Sequence, residues 1–204
     1  LKEAKRLHDH KEMRAVLTRA TSLPGIGVTA GELDLQPHLL ACANGVVNLH
    51  TGLLEPGRPE DLITQNTHIA FDATAECPRW ERFLREVFGD AELIDYIQRA
   101  IGYSLTGWIR EQVLFVCHGT GANGKTTFFT TLQQVLGGCA RQSAESTFEA
   151  RPALAHSVPT DDLAALAGKR FVVISETAQR GRLNEARIKQ LTGGDRVEAR
   201  HVGE

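Results

Sequence analysis

Apolar residues change their spacing several times along this chain, and each change marks an element. Up to about residue 22 they are scattered among charges at helical intervals. That pattern predicts a charged amphipathic helix, ended by Ser22-Leu23-Pro24-Gly25. Its cations Lys2, Lys5, Arg6, Lys11, Arg14 and Arg19 outnumber the acids Glu3, Asp9 and Glu12, and the reading is a solvated linker helix in preference to a DNA contact. From Leu39 the runs shorten. Leu39 to Cys42 and Val46 to Leu49 flank Asn44-Gly45, two residues that tolerate positive φ, and so predict a hairpin. His50-Thr51-Gly52 is a further turn, and Ile63 to Phe71 a further strand of a small β-meander. After Pro78 the period becomes helical. Trp80, Phe83, Leu84, Val87 and Phe88 share one face, and these aromatics read as core, not as base-stacking platforms. Asp90 is placed as the N-cap of a second helix whose buried stripe is Leu93, Ile94, Ile97, Ala100 and Ile101.

From about Glu111 the order turns α/β. An apolar strand, Gln112 to Cys117, leads into a glycine-rich segment and a helix from Thr126 to Leu136. A polar connection follows, then a short helix from Asp161 to Ala167 stopped by Gly168, and then the strand Arg170 to Ser175. A helix from Glu185 to Leu191 enters Thr192-Gly193-Gly194-Asp195 and a short alternating stretch, Arg196 to Arg200. The predicted organisation is therefore a small α+β domain over residues 1–110 and an α/β domain with a parallel sheet over 111–204. No repeat or low-complexity segment interrupts it.

Composition narrows the class. With 42% hydrophobic and 24% charged residues the chain has the balance of a globular protein, and no run approaches the roughly 18 apolar residues of a membrane span. Leu1 followed by Lys2-Glu3-Ala4-Lys5-Arg6 is no signal peptide and looks like a piece cut from a longer polypeptide. Cys42, Cys77, Cys117 and Cys139 are far apart with no C-x-x-C, so neither a zinc site nor a disulfide framework is expected, and a cytoplasmic location is. His8 and His10, two apart on a helix, lie on different faces and argue against a metal pair. A net charge of −2 advertises no nucleic-acid partner, which would need a local patch.

The chemistry concentrates in Gly119-Thr120-Gly121-Ala122-Asn123-Gly124-Lys125-Thr126, which spells G-x-x-x-x-G-K-[ST] in full. With glycine near 7% of residues, chance produces this pattern in roughly one chain in a hundred of this length. The alternative is a glycine-rich turn before an ordinary helix, but strand, glycine loop and helix is the context the motif requires. Glycines let backbone N–H groups close around a phosphate chain, and the helix N-terminus adds its positive dipole end. Residues Gly119 to Thr127 are the expected nucleotide-binding set, with Lys125 on the β/γ-phosphates and Thr126 on Mg²⁺. ATP or another nucleoside triphosphate with Mg²⁺ is the expected ligand pair. The strand Phe171 to Ile174 then delivers Ser175-Glu176. Glu176 is the expected second catalytic group, either holding Mg²⁺ through water or polarising the attacking water; a turn or N-cap glutamate is the plainer alternative.

The order of phosphate loop, apolar strand ending in Ser-Glu, Leu183-Asn184-Glu185, Lys189-Gln190-Leu191-Thr192-Gly193-Gly194-Asp195 and a basic segment resembles the superfamily 3 helicases of the AAA+ class. It looks closest to the phage and plasmid primase-helicase branch, which also holds the poxvirus primase-helicase. Upstream, Asn44 to Gly52, Cys77-Pro78-x-Trp80 and Ile101 to Gly107 look like the helicase-associated domain of that branch. The resemblance implies an ATP-dependent DNA helicase motor, a homo-hexamer when full-length, acting on single-stranded DNA in replication. It also implies a hairpin after Gly-Gly-Asp that grips DNA, which makes Lys189, Arg200 and His201 the candidate DNA-side residues. By the same match the chain stops at Glu204, before the family's sensor residue, arginine finger and lid, so a fragment that is poorly active and largely monomeric is expected. Two other readings remain: a P-loop small-molecule kinase, which would need an acceptor pocket where this chain has a basic segment, and a nucleotide-gated DNA-binding or scaffold module with little turnover.

Overall fold

The computed structural model describes residues 10–23, 25–148, 161–174 and 183–194. Helix α1, His10–Thr21, is exposed along most of its length, as a solvated helix should be. A three-stranded antiparallel meander follows, with β1 (Leu39–Cys42), β2 (Gly45–Asn48) and β3 (Leu53–Glu55) in sequence order.

The meander forms where expected, with two corrections. Cys42 pairs with Gly45, so the turn is Ala43-Asn44, one residue earlier than the Asn44-Gly45 dipeptide indicates. Gly45 is needed inside the strand, because a Cβ there would lie 2.5 Å from the Glu55 carbonyl oxygen. Asn44 is used as a clamp: its Nδ2 donates to the Phe71 carbonyl at 2.9 Å, and the Phe71 N–H donates to its Oδ1 at 2.8 Å. The third strand is Leu53–Glu55, reached through a turn with Gly52 at φ +70°, and not Ile63 to Phe71. The latter segment contributes one isolated parallel bridge, Asn66 to Ala41.

Helices α2 (Pro78–Phe88) and α3 (Ala91–Leu105) stand as the periodicity requires. Asp90 caps α3 by accepting the Glu92 N–H at 2.9 Å. Leu93, assigned to the buried stripe, is exposed; the stripe begins at Ile94. The α2 aromatics are half-buried and pack inward. Trp80 stacks on Phe83 and on Phe128, with centroids at 5.3 and 5.7 Å, and Phe88 meets Phe128 edge-on at 5.4 Å. Phe128 belongs to α4 (Lys125–Leu136), so these rings seat α4 on α2.

The α/β part differs from expectation at two strands. Residues 112–117 join no ladder among the described residues and leave Val113, Leu114, Phe115 and Val116 exposed. An apolar run becomes a strand only beside a partner edge, and neither strand of the parallel sheet pairs with it. Conversely, the polar connection after α4 contains β4 (Ala140–Ser143), which pairs in parallel with β5 (Phe171–Ile174), from Ala140 opposite Phe171 to Ser143 opposite Ile174. A short helix α5 (Asp161–Ala164) precedes β5, with Gly168 at φ +70° beyond it. Helix α6 (Glu185–Gly193) starts on Asn184, whose Oδ1 accepts the Arg187 N–H at 3.0 Å, and ends at Gly194 with φ +76°.

The fold is thus mixed α/β, with a small antiparallel sheet and a two-stranded parallel one. One core joins them: Leu40, Cys42 and Val47 of the meander pack with Leu136 and Cys139, with Leu105 and Phe171 against them. Polar bonds reinforce the join. Arg170 donates to the carbonyls of Leu105 and Leu39, each at 2.6 Å, and Lys169 Nζ donates to Gln65 Oε1 and the Gly138 carbonyl, also at 2.6 Å. Contacts therefore cross position 110 in both apolar and polar form.

Candidate functional site

The segment Gly119 to Gly124 winds directly into the first turn of α4. Two of its residues take left-handed backbone, Ala122 at φ +58° and Gly124 at φ +80°. Gly124 is dictated twice over. A side chain is strained at that φ, and a Cβ would lie 2.7 Å from Val87 Cγ2 and 3.3 Å from Phe83 Cε2. The loop is thus seated on α2, and any larger residue would lift it off. At Gly119 a Cβ would meet Asn123 Nδ2 at 2.2 Å, whereas around Gly121 nothing lies within 4 Å. The crown of the loop is open to solvent.

Lys125 folds back over this loop. Its Nζ donates to the Gly119 carbonyl at 2.9 Å and to Asn123 Oδ1 at 3.0 Å. The ammonium is therefore fixed across the loop by neutral oxygens, and no carboxylate pairs with it among the described residues. Beside it, α4 begins without a side-chain cap. Its first backbone bond is Phe128 N–H to the Gly124 carbonyl at 2.9 Å, and the N–H groups of Lys125, Thr126 and Thr127 find no acceptor among the described residues. Free amides, the positive end of a 12-residue helix and a tethered ammonium converge on one open surface. That arrangement suits an anion carrying several oxygens, such as a phosphate chain. Thr126 and Thr127 are exposed on the same turn, and their hydroxyls have no partner among the described residues.

The structure brings together Gly119, Thr120, Gly121, Ala122, Asn123, Gly124, Lys125, Thr126 and Thr127. Lys189 is exposed on α6, with no bonded partner among the described residues. Glu176, with Ser175 before it, lies outside the described residues, as do Asp195, Arg200 and His201. Among the described residues no group of three or more His, Cys, Asp or Glu could hold a metal ion, and the four cysteines are free. A concavity of about 290 Å³ between the meander and residues 57–63, lined by Cys42, Val46, Arg58 and Asn66 among others, shares no residue with the loop. No helix of the described residues is long and apolar enough to cross a membrane.

Sequence reading did not anticipate the seating of Gly124 on Phe83 and Val87. These residues were legible only as an apolar helix face, and the partner of that face is a matter of tertiary packing.

The chain is similar in sequence to proteins of large DNA viruses that carry helicase or primase names. Residues 1–89 match the family described as D5 N terminal like. The chain is 27% identical over 205 residues to "Putative helicase 184R" of Invertebrate iridescent virus 6, covering 98% of this chain and 21% of that protein. It is 29% identical over 173 residues to "Putative helicase L207/L206" of Acanthamoeba polyphaga mimivirus, covering 82% of this chain and 18% of that one. To "Putative primase C962R" of African swine fever virus it is 24% identical over 178 residues, or 84% of this chain and 18% of the other. The chain spans about a fifth of the length of these relatives.

Proposed function

We propose that this chain is the nucleotide-binding part of an ATP-driven helicase motor of the superfamily 3, AAA+ kind, working on single-stranded DNA in replication. The observation that carries the reading is the bond from Lys125 Nζ to the Gly119 carbonyl, which holds an ammonium at the mouth of an uncapped helix. The similarity to helicase- and primase-named proteins of large DNA viruses supports the same class.

Each residue then has a task. The glycines keep the loop backbone accessible, so that N–H groups can surround the phosphates. Lys125 exchanges its two neutral acceptors for β/γ-phosphate oxygens, a charge-assisted contact worth a few kcal/mol. Thr126 fits a Mg²⁺ ligand, since its hydroxyl is exposed on the first turn of α4 and has no partner among the described residues. Together with phosphate oxygens it would hold the ion without a separate protein cage. Bound there, Mg²⁺ supplies neutralisation of phosphoryl charge. Glu176, which directly follows Ser175 after β5, would orient the attacking water. Lys189, Arg200 and His201 would contact the DNA backbone, in an assembly of six subunits. Positioning and charge neutralisation, not covalent chemistry, are what phosphoryl transfer asks of the protein.

Titration with a fluorescent ATP analogue tests the reading. Lys125→Ala should lose most of the affinity while keeping its far-UV circular dichroism, and unchanged affinity in the folded variant removes the claim. Glu176→Gln should keep nucleotide affinity and lose turnover in a longer, active form of the protein. A second reading, a nucleotide-gated DNA-binding module with little turnover, is favoured by the single acid in Ser175-Glu176. It predicts that DNA leaves the hydrolysis rate unchanged, whereas the motor predicts stimulation.

A further inference from the structure

Four residues far apart in sequence form a column on the meander side of the molecule. The rings of His38 and His50 stack with centroids 5.1 Å apart and planes 29° apart. His50 in turn meets Trp108 at 5.1 Å, and the Arg110 guanidinium carbon sits 4.4 Å from the centroid of the Trp108 ring. His50 and Arg110 are exposed, and His38 and Trp108 half-buried.

The column is built on fixed backbone. The Leu49 N–H donates to the His38 carbonyl at 2.8 Å, extending the β1–β2 ladder by one step and holding His38 opposite Leu49, next to His50. Asn48 Oδ1 accepts the His50 N–H at 3.0 Å. Gly107 donates to the Pro37 carbonyl at 2.9 Å, and its Cβ, had it one, would lie 3.0 Å from Pro37 Cβ, so glycine is what lets Trp108 reach the column. At the far end the Tyr103 hydroxyl oxygen accepts the N–H groups of Arg110 and Glu111, at 2.7 and 3.2 Å.

Among the described residues neither histidine's ring nitrogens nor the Arg110 guanidinium has a hydrogen-bond or ion-pair partner. A structural stack with only a packing role would bury its rings or tie off their donors. Here π-faces and unpaired cationic or donor groups alternate on the surface. That is the pattern single-stranded nucleic acid recognises, with bases on rings and phosphates on adjoining donors. The column also has a direction. Beyond His38 lies a cavity of about 190 Å³ whose lining includes Glu55 and Asp61 as well as Arg58, and those acids oppose a phosphate at that end. Arg110 marks the end where backbone would be held. The segment carrying Trp108 and Arg110 runs on, within ten residues, to Gly119 of the phosphate loop.

We propose that His38, His50, Trp108 and Arg110 form a base-stacking and phosphate-contacting platform for single-stranded DNA or RNA, made of residues other than those of the phosphate loop. The proposal rests on the helicase reading for its biological sense, but not for its physical test. Binding of a fluorescein-labelled oligothymidylate of about 20 nucleotides to the 204-residue chain, followed by anisotropy at low salt, should be saturable and stronger than binding of a duplex of equal length. Trp108→Ala should weaken it by about ten-fold or more, the range base–aromatic stacking gives, while Trp108→Phe should retain most of the affinity. Arg110→Ala should weaken it and reduce its salt dependence. The intrinsic emission should be quenched by the unlabelled oligonucleotide in a Trp80→Phe variant, where Trp108 is the remaining tryptophan. Equal binding by wild type and Trp108→Ala, no oligonucleotide binding at all, or equal affinity for a polyglutamate peptide would each overturn the platform. The Lys125→Ala nucleotide titration is independent of these readouts. ATP binding that depends on Lys125, with oligonucleotide binding indifferent to Trp108, defeats the platform alone. ATP binding indifferent to Lys125 defeats the motor reading alone.

Discussion

Arg170 donates from Nη2 to the Leu39 carbonyl at 2.6 Å, across 131 positions of sequence. Its other nitrogen, Nη1, holds the Leu105 carbonyl at the same distance. One guanidinium, placed at the head of β5, therefore ties the meander and the end of α3 to the parallel sheet. Burial lowers the Arg170 pKa from its ordinary value, while Cys139 and Asp34 pull it the other way. The cost of burying that charge is tolerated because its donors meet backbone carbonyls left over at element ends.

Removing the clamp should therefore destabilise the whole chain. Hydrogen bonds from charged donors contribute about 1.5–3 kcal/mol each when one partner is removed. Arg170→Met should lower unfolding free energy by about 2–4 kcal/mol, and Arg170→Lys should recover only part, since an ammonium cannot span two carbonyls as a planar fork does. Urea denaturation followed by circular dichroism reads this directly. A wild-type midpoint in Arg170→Met would show that the clamp contributes nothing.

The phosphate loop offers a comparison between two of its own glycines. Gly124→Ala places a methyl group 2.7 Å from Val87 Cγ2 at φ +80°. Left-handed backbone costs about 1–2 kcal/mol for an L-residue, and overpacking about 1–3 kcal/mol more. Gly121→Ala meets nothing within 4 Å and should shift stability by no more than about 0.5 kcal/mol. Thermal melts of the two variants side by side would show the difference, and equal melting temperatures would mean that the loop is not seated on α2.

These two sites also show what could be read ahead of the structure. Gly119, Gly124 and Lys125 announce the loop by spacing alone, and the Trp80–Phe88 face and the Asp90 cap announce α2 and α3 through period and cap chemistry. What stayed hidden depends on partners. Ala140-Arg141-Gln142-Ser143 has no alternating apolar signal, and it is a strand only because β5 lies alongside. Gln112 to Cys117 has the composition of a strand but no neighbouring edge among the described residues. Ile63 to Phe71 lost its place in the meander to Leu53–Glu55, which the Gly52 turn folds straight back onto β2. His38, His50, Trp108 and Arg110 carry no shared motif, and tertiary contacts such as Gly107 on Pro37 bring them together.

The cysteines should divide into two reactivity classes. Cys77 and Cys117 are exposed, whereas Cys42 and Cys139 sit in the shared core, Cys139 at 1% exposure. Burial pushes the Cys139 thiol pKa up from its ordinary value, although Arg170 and Lys169 oppose the shift. Thiolate is the reacting species, so the native protein should give two rapidly titrating thiols with Ellman's reagent, and four only after denaturation. Rapid reaction of all four in the native state would mean that the core joining the two sheets opens readily.

Val113 to Val116 is a run of four consecutive exposed apolar residues, with Val116 76% exposed and Phe115 in an edge contact with Tyr96 at 6.5 Å. Four consecutive exposed apolar side chains preceding the phosphate loop form a patch that water orders around at a free-energy cost of roughly 25 cal/mol per Å². An apolar dye should therefore bind the native chain and brighten. Val116→Lys places a charge in the most exposed position without touching the core, and should cut that fluorescence and any concentration-dependent light scattering. Its unfolding midpoint should stay within experimental error of wild type, because the Val116 side chain is mostly in water already. Two results would contradict this account: a wild-type chain that leaves the dye dark, or a Val116→Lys variant that unfolds. Either would mean that this segment is covered in solution, and that its residues belong to the core instead of the surface.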